Sequence, residues 1–366
     1  MLTRQNLQSF YRMEKRQDIM TRLEVCAWEK HQILPSSQFF RAFSPSNIAL
    51  IKYWGKRDVA LNLPTHGSIS VTLKDFGSYT TAEFSEHFTK DEFYLNGTTL
   101  IDFSKAIKTV DELRKLAQTS LRVRVQSYNN FPTAAGLASS ASGMSALTYA
   151  CARALDLNLS LEKLSEISRK TSGSSCRSFF DGFVEWNKGE LADGSDCVAH
   201  SIVEGKHFPL QVFLVVVQEK PKHHPSTDGM LHTQKTSPFF EAWVKNSEKD
   251  FIRMKKALFE KDFESFSMII QENCFRMHAC MMASSPPLLY WEPQTLLVTG
   301  LIESLQKSSI PVCFTIDAGP NVVVLCPPEV RRTVHEELKK LNPMQLLSTI
   351  LGSGTRAYNL QEWQNE

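Results

Sequence analysis

Pro132-Thr133-Ala134-Ala135-Gly136-Leu137-Ala138-Ser139-Ser140-Ala141-Ser142-Gly143 is a run of small residues between two patterned segments. Before it, Leu121–Tyr128 alternates Val123 and Val125 with Arg122 and Arg124, the two-residue period of a strand. After it, Leu147, Cys151, Ala154 and Leu155 recur at helical spacing. The loop therefore joins a strand to a helix N-terminus, where unpaired N–H groups and the helix dipole favour an anion. Gly136 and the alanines let phosphate oxygens reach the backbone, and Ser139 and Ser140 add hydroxyls that can donate to phosphate or ligate magnesium. A tight turn with a serine-rich cap satisfies the same residues. No Gly-Lys-Ser/Thr closes the loop, so it is not a Walker loop.

Working outward, strands are expected at Ile69–Leu73, Ser78–Phe84, Glu92–Leu95 and Gly182–Trp186, and helices at Ser104–Ala117, Leu137–Leu155 and Leu161–Lys170. Beyond about Gly205, Leu210–Val217 reads as a buried strand, followed by a polar loop over Glu219–Asp228. Helical patterns cover Pro238–Lys245, Lys249–Glu260, Phe263–Ala283, Gln294–Gln306 and Pro328–Leu341. The strands Val312–Ile316 and Asn321–Leu325 flank the turn Asp317-Ala318-Gly319-Pro320, and a short tail ends the chain. Interspersed strands and helices without strict alternation predict an α+β fold with domains at 39–205 and 206–366. Residues 1–38 read as a loosely attached extension. An amphipathic helix over Leu7–Trp28, an organelle-targeting peptide and a start at Met20 are the alternatives there.

The 366 residues carry a formal charge of +2, which gives no electrostatic case for nucleic acid or an anionic membrane. No apolar run approaches a membrane span. Eight scattered cysteines without a C-x-x-C pair point to reduced thiols and a cytoplasmic setting.

Four further clusters carry chemistry. Ser44–Asp58 contains Lys52, Tyr53, Trp54, Lys56 and Arg57 around Gly55, ahead of Asn62; cations beside aromatics grip an oxyanion, or form a solvated basic turn. Thr171–Ser178 combines Ser172, Ser174, Ser175 and Arg177, suited to a carboxylate or phosphate, or to a flexible connector. Asp317 stands between two apolar strands, where it serves as a base or bonds its own turn. Lys222–Met230 holds His223 and His224 without a third metal ligand, and the hydroxyls of Ser226 and Thr227.

Taken together, "NIALIKYWGKRD" at 47–58, "FPTAAGLASSASG" at 131–143, "SGSSCRS" at 172–178 and "IDAGPN" at 316–321 resemble the mevalonate diphosphate decarboxylases. That family belongs to the superfamily of galactokinase, homoserine, mevalonate and phosphomevalonate kinases. The resemblance runs from about Ala42 to Cys326, and "KYWGKRD" is its most specific part. It implies two α+β domains across a cleft, a homodimer, and ATP-dependent decarboxylation of mevalonate 5-diphosphate with Mg²⁺. By similarity, Asp317 faces the C3 hydroxyl and Lys52 steadies the transferring phosphoryl group. Ser172, Ser174 and Arg177 hold the carboxylate, Tyr53 and Lys56 the diphosphate, and Asn62 lies near the reacting phosphoryl group. Pro132, Ala135, Gly136, Leu137, Ser139 and Ser140 form the ATP loop, with Ser140 as the magnesium ligand; Ser226 and Thr227 touch substrate phosphate. The chain departs from the family at His66-Gly67, where Asn and Ser are usual, at Pro225, where a Ser pair is usual, and at Ser175, usually alanine. The rival expectations are a kinase or decarboxylase of mevalonate or its monophosphate, and a silent ATP-binding module.

Overall fold

The computed structural model describes residues 37–131, 139–218 and 225–358. The chain begins in β1 (Gln38–Ile51), a long strand whose last ten residues are all buried. It pairs antiparallel with β4 (Ser68–Ser85), and their register shifts between Pro45 and Asn47. The two strands expected at 69–73 and 78–84 are thus one bent strand. Gly77 lies at the bend, where a Cβ would sit 2.3 Å from the Ser44 carbonyl oxygen.

Between β1 and β4 in sequence lies a two-stranded hairpin, β2 (Lys56–Asp58) with β3 (Leu63–Pro64). Around the β1–β4 pair an eight-stranded sheet forms in the order β14-β1-β4-β7-β5-β6, with β8 (Phe183–Trp186) on β4 and β9 (Ala199–Val203) on β8. Here β5 is Glu92–Leu95, β6 Thr98–Thr99, β7 Arg122–Asn129 and β14 Arg356–Ala357. Helices α1 (Ser104–Ala117), α2 (Ser139–Ala154) and α3 (Leu161–Arg169) cover one face through a core including Phe84, Val110, Leu147, Ile167 and Trp186. The buried face of α2 is small and hydroxylated, with Ala141, Ser142, Ser145, Ala146 and Thr148. Its serines bond into the sheet: Ser142 meets Ser78 at 2.7 Å, and Ser145 meets Ser44. Small side chains let the helix, whose first residues are Ser139 and Ser140, lie close on β1 and β4.

The second sheet runs β11-β12-β10-β13, all antiparallel: Cys313–Ile316, Val322–Cys326, Gln211–Val216 and Gln345–Ile350. Its helices are α4 (Ser226–Thr236), α5 (Phe240–Glu260), α6 (Phe263–Met282), α7 (Pro293–Lys307) and α8 (Arg331–Lys340). A shared cluster joins the two sheets, with Ile48, Leu50, Ile69 and Val71 packed with Leu214, Phe266 and Ile270.

Several expectations need correction. The helices expected at 238–245 and 249–260 are one, because Asn246–Glu248 continue the period without a breaker. Ser226–Asp228, placed in a loop, form the first turn of α4 behind Pro225. The segment 173–179, for which a flexible connector was one alternative, is a largely buried 3₁₀ helix. The expected tail contains β13 and β14. Its 352–358 stretch crosses back to the first sheet through Gly352 N–H on Thr72 O (2.9 Å), Thr355 N–H on Ser178 O (3.0 Å) and Tyr358 N–H on Arg41 O (2.9 Å).

A Cβ at Gly354 would stand 2.2 Å from the Phe179 carbonyl oxygen, so backbone must move to admit one. Gly354→Ala is expected to cost about 1–3 kcal/mol, read as a lower thermal midpoint against the parent protein. An unchanged midpoint would show that the returning strap is loosely held.

Candidate active site

Lys52 leaves the end of β1 and Asp317 follows β11, and they meet across 265 positions of sequence with Lys52 Nζ donating to Asp317 Oδ1. Lys52 is 1 % exposed, while the Asp317 side chain keeps 29 % of its surface open. Nζ also donates to the Ala49 carbonyl at 2.9 Å. The Asp317 carboxylate therefore takes a remote ammonium, which the turn-former alternative did not require. Its own backbone carbonyl closes the turn by accepting Gly319 N–H at 2.7 Å.

The pair opens on a cleft of 840 Å³. Ser139, Ser140, Ser172, Ser174, Arg177, Ser226 and Thr227 line it together with Tyr53, Lys56 and Asn62. The expected groups from five separate segments therefore face one hollow. Pro132, Ala135, Gly136 and Leu137 lie outside the described residues, as do His223 and His224. Ser172 Oγ reaches Ser140 Oγ at 3.4 Å, which brings the hydroxyl segment beside the start of α2.

Arg177 is 2 % exposed and makes no ion pair among the described residues. Its Nη1 donates to Ser68 Oγ at 2.7 Å, and Nε and Nη2 donate to Asn47 Oδ1 at 3.3 and 3.2 Å. Burial presses its basicity down, and the Asp317 charge works against that. The buried guanidinium is thus held by neutral hydrogen-bond partners alone.

At the other end Lys56 Nζ donates to Asn62 Oδ1 at 2.6 Å, and Asn62 Nδ2 donates to Lys170 O at 2.9 Å. Asn62 sits at φ +51°, a left-handed turn position that asparagine tolerates. Burial lowers the Lys56 pKa, and neighbouring Lys105 adds to the effect. The buried Tyr53 hydroxyl has no hydrogen-bond partner among the described residues, and burial pushes its pKa up. A Cβ at Gly173 would come within 2.8 Å of the Tyr53 ring, so glycine is what admits the tyrosine there.

Sequence reasoning missed Asn47, Lys105, Lys108 and Lys170 as lining residues. Asn47 had a signal, since an amide directly ahead of the apolar run Ile48–Ile51 needs a partner once that run is buried. The lysines look like the solvated face of an amphipathic helix and carry no such mark.

His66 is 1 % exposed and turned away from the cleft, its ring edge-on to Trp243 at 5.3 Å. Gly67 accommodates Phe251, whose ring a Cβ would approach to 2.8 Å. These two departures belong to packing. Ser175 is likewise internal, donating to Ser172 O at 2.6 Å and meeting Ser168 Oγ at 2.6 Å.

A two-sheet α+β fold with a small-residue helix start, a Lys–Asp pair and an unpaired buried arginine on one cleft defines the small-molecule kinase class of the galactokinase–mevalonate kinase superfamily. Two family models match the chain: the diphosphomevalonate decarboxylase-like N-terminal domain over residues 44–199, and the mevalonate 5-diphosphate decarboxylase C-terminal domain over 212–362. The chain belongs to the diphosphomevalonate decarboxylase family. It is 40 % identical to the diphosphomevalonate decarboxylase of Candida albicans, over 77 % of this chain and 82 % of that one. It is 37 % identical to that of Homo sapiens, over 77 % and 75 %. Among solved structures, the mevalonate diphosphate decarboxylase of Staphylococcus aureus superposes with TM-score 0.84 at 36 % identity, covering 90 % of this chain and all of that one (100 %). The structure "MDDEF in complex with MVAPP, AMPPCP and Magnesium" superposes with TM-score 0.83 at 37 % identity, over 88 % and 100 %.

Burial lowers the His66 pKa to about 4 and that of His278, on α6, to about 3. Both rings are thus held neutral in the fold, and below about pH 6.5 the unfolded chain binds more protons than the folded one. Their stabilising contribution is complete above that pH. It is lost as pH falls toward 4 for His66 and 3 for His278, at about 1.4 kcal/mol per histidine per pH unit. Thermal midpoints measured from pH 7 to 5 should fall, and His66→Leu should flatten the slope; a parallel slope in that variant would contradict the assignment.

Proposed function

We propose that this protein catalyses the ATP-dependent decarboxylation of mevalonate 5-diphosphate, through phosphorylation of the C3 hydroxyl, to isopentenyl diphosphate with ADP, phosphate and CO₂. The observation that carries this is the Lys52–Asp317 pair, opening on a cleft that also holds the unpaired Arg177. Its support from relatives is the complex of MDDEF with MVAPP, AMPPCP and magnesium.

Asp317 orients the C3 hydroxyl and accepts its proton as the oxygen attacks the terminal phosphorus. Lys52 steadies negative charge on the phosphoryl group in flight. Hydroxide is a poor leaving group; a C3 phosphate is not, so its departure draws the carboxylate's C–C electrons into the new alkene. Arg177, with Ser172 and Ser174, holds that carboxylate until CO₂ departs. Lys56 and Tyr53 bind the substrate diphosphate, with Asn62 locking Lys56 in place and Ser226 and Thr227 closing over it.

Ser139 and Ser140, at the head of α2, face the ATP phosphates; the other ATP-loop residues the resemblance implies, Pro132, Ala135, Gly136 and Leu137, lie outside the described residues. The Ser140 hydroxyl is exposed at this point, a fitting donor for a phosphate-bound magnesium ion. Among the described residues no group of three or more His, Cys, Asp or Glu gathers to hold a metal alone. Bound with the nucleotide, magnesium offsets phosphate charge.

The proposed division is an extension over 1–38 and domains over 39–205 and 206–366, assembled as a homodimer in the cytoplasm. Seven described cysteines are all free and buried, in keeping with a reducing compartment. Among the described residues no helix is long and apolar enough to cross a membrane.

Asp317→Asn should lower kcat by roughly 10²–10⁴-fold with ATP affinity near that of the parent. Near-parent turnover would remove Asp317 from the chemistry. Arg177→Ala should raise KM for mevalonate diphosphate and lower kcat together, by on the order of 10-fold or more each. Turnover of the monophosphate in place of the diphosphate, followed by mass spectrometry, would overturn the substrate assignment. ATP binding without CO₂ release would mark a silent module.

A further inference from the structure

We propose that helix α6 is the element that positions the Lys52–Asp317 pair, gripping the backbone of Lys52 through Asn273 and that of Ile316, the residue before Asp317, through Cys274 and His278. The proposal rests on the functional reading above for its kinetic consequence, and on geometry alone for its structural one.

The two partners come from different sheets, and no strand pairing links β1 to β11. Asn273 Oδ1 accepts the Lys52 backbone N–H at 2.9 Å. On the next residue, Cys274 Sγ accepts the Ile316 N–H at 3.2 Å. One turn later His278 Nε2 lies 3.2 Å from the Ile316 carbonyl oxygen. A carbonyl only accepts, so Nε2 carries the proton and donates. The Ile316 carbonyl belongs to the peptide plane that leads into Asp317. Fixing both polar groups of Ile316 therefore fixes the direction in which Asp317 leaves its strand. Because β11 is an edge strand, its outer groups have no neighbouring strand to bond, and the helix supplies those bonds instead.

The grip is itself anchored. Asn273 Nδ2 donates to Asp250 Oδ2 at 3.1 Å, which leaves its oxygen facing Lys52. Asp250 is 1 % exposed and takes Arg276 at 2.7 Å and Arg253 at 3.1 Å. The His278 ring packs on Trp291 with centroids 4.8 Å apart. Asn273, Cys274 and His278 are buried behind the cleft wall, to which α6 contributes Met277. They act through the pair and are positioning residues.

The test compares His278→Leu, which deletes the donor, with His278→Gln, whose amide nitrogen can reach the same carbonyl. Each is assayed with Mg-ATP and mevalonate diphosphate and crystallised. His278→Leu should lower kcat by on the order of 10- to 100-fold, since small misplacements of reacting groups carry large penalties. KM for both substrates should stay within about two-fold of the parent. His278→Gln should recover most of kcat. In the crystals the Lys52 Nζ–Asp317 contact should be broken in the leucine variant and restored in the glutamine variant. A leucine variant with parent kcat and the contact intact would overturn the proposal, as would a glutamine variant no better than leucine. Should His278→Leu fail to fold, Cys274→Ala removes the Ile316 N–H acceptor and the weaker thiol contact to the Ile316 carbonyl (3.6 Å), and carries the same expectation of lowered kcat with KM retained. If the parent protein does not turn over mevalonate diphosphate, the functional reading fails, and the crystal comparison still decides the positioning.

Discussion

A lysine ammonium almost wholly withdrawn from water stands against one carboxylate, and the rest of the molecule is arranged to permit it. An unpaired ammonium at the Lys52 position would carry a desolvation penalty of several kcal/mol, so Asp317 must arrive there whenever the chain folds. Lys52 directly follows a strand of the first sheet and Asp317 directly follows a strand of the second. The apolar cluster joining the sheets, with Ile48 and Leu50 against Phe266 and Ile270, brings those strand ends together. The same constraint that makes the pair demanding to bury makes it useful. Asp317 keeps one side open to the cleft, and the low-dielectric wall behind Lys52 strengthens its field on anything placed there.

Charge in the cleft is unbalanced toward the cation. Asp317 answers Lys52, but Arg177 and Lys56 have only neutral hydrogen-bond partners. On the proposed function, the substrate's carboxylate answers Arg177 and its diphosphate answers Lys56. The departures from the family pattern leave this untouched. His66 and Gly67 settle against Trp243 and Phe251 behind the site, and Ser175 braces the carbonyl of Ser172 from inside. Pro225 precedes a helix whose first residues, Ser226 and Thr227, still line the cleft.

Much of the secondary structure was legible because the hydrophobic period is local. Helix α1 over Ser104–Ala117 and strand β5 over Glu92–Leu95 match their expected bounds. Strand β1 was not, because Ser44, Pro45, Ser46 and Asn47 are polar or strand-breaking residues that this fold buries by hydroxyl and amide bonds to α2 and the 3₁₀ segment. The tail was not, because β14 is two exposed residues held by their neighbours rather than by their own pattern. In the site, charged and hydroxyl residues inside tight motifs announced themselves. Asn273, Cys274 and His278 did not, since on one helix they are indistinguishable from core filling until the backbone groups they meet are known.

The most direct test of the central claim follows one oxygen atom. Mevalonate diphosphate labelled with oxygen-18 in its C3 hydroxyl is turned over with Mg-ATP, and the inorganic phosphate released is examined by mass spectrometry. A hydroxyl activated by Asp317 and phosphorylated beside Lys52 leaves as phosphate, so the label should appear there, one atom per CO₂ formed. Label found in water, with unlabelled phosphate, would contradict the account.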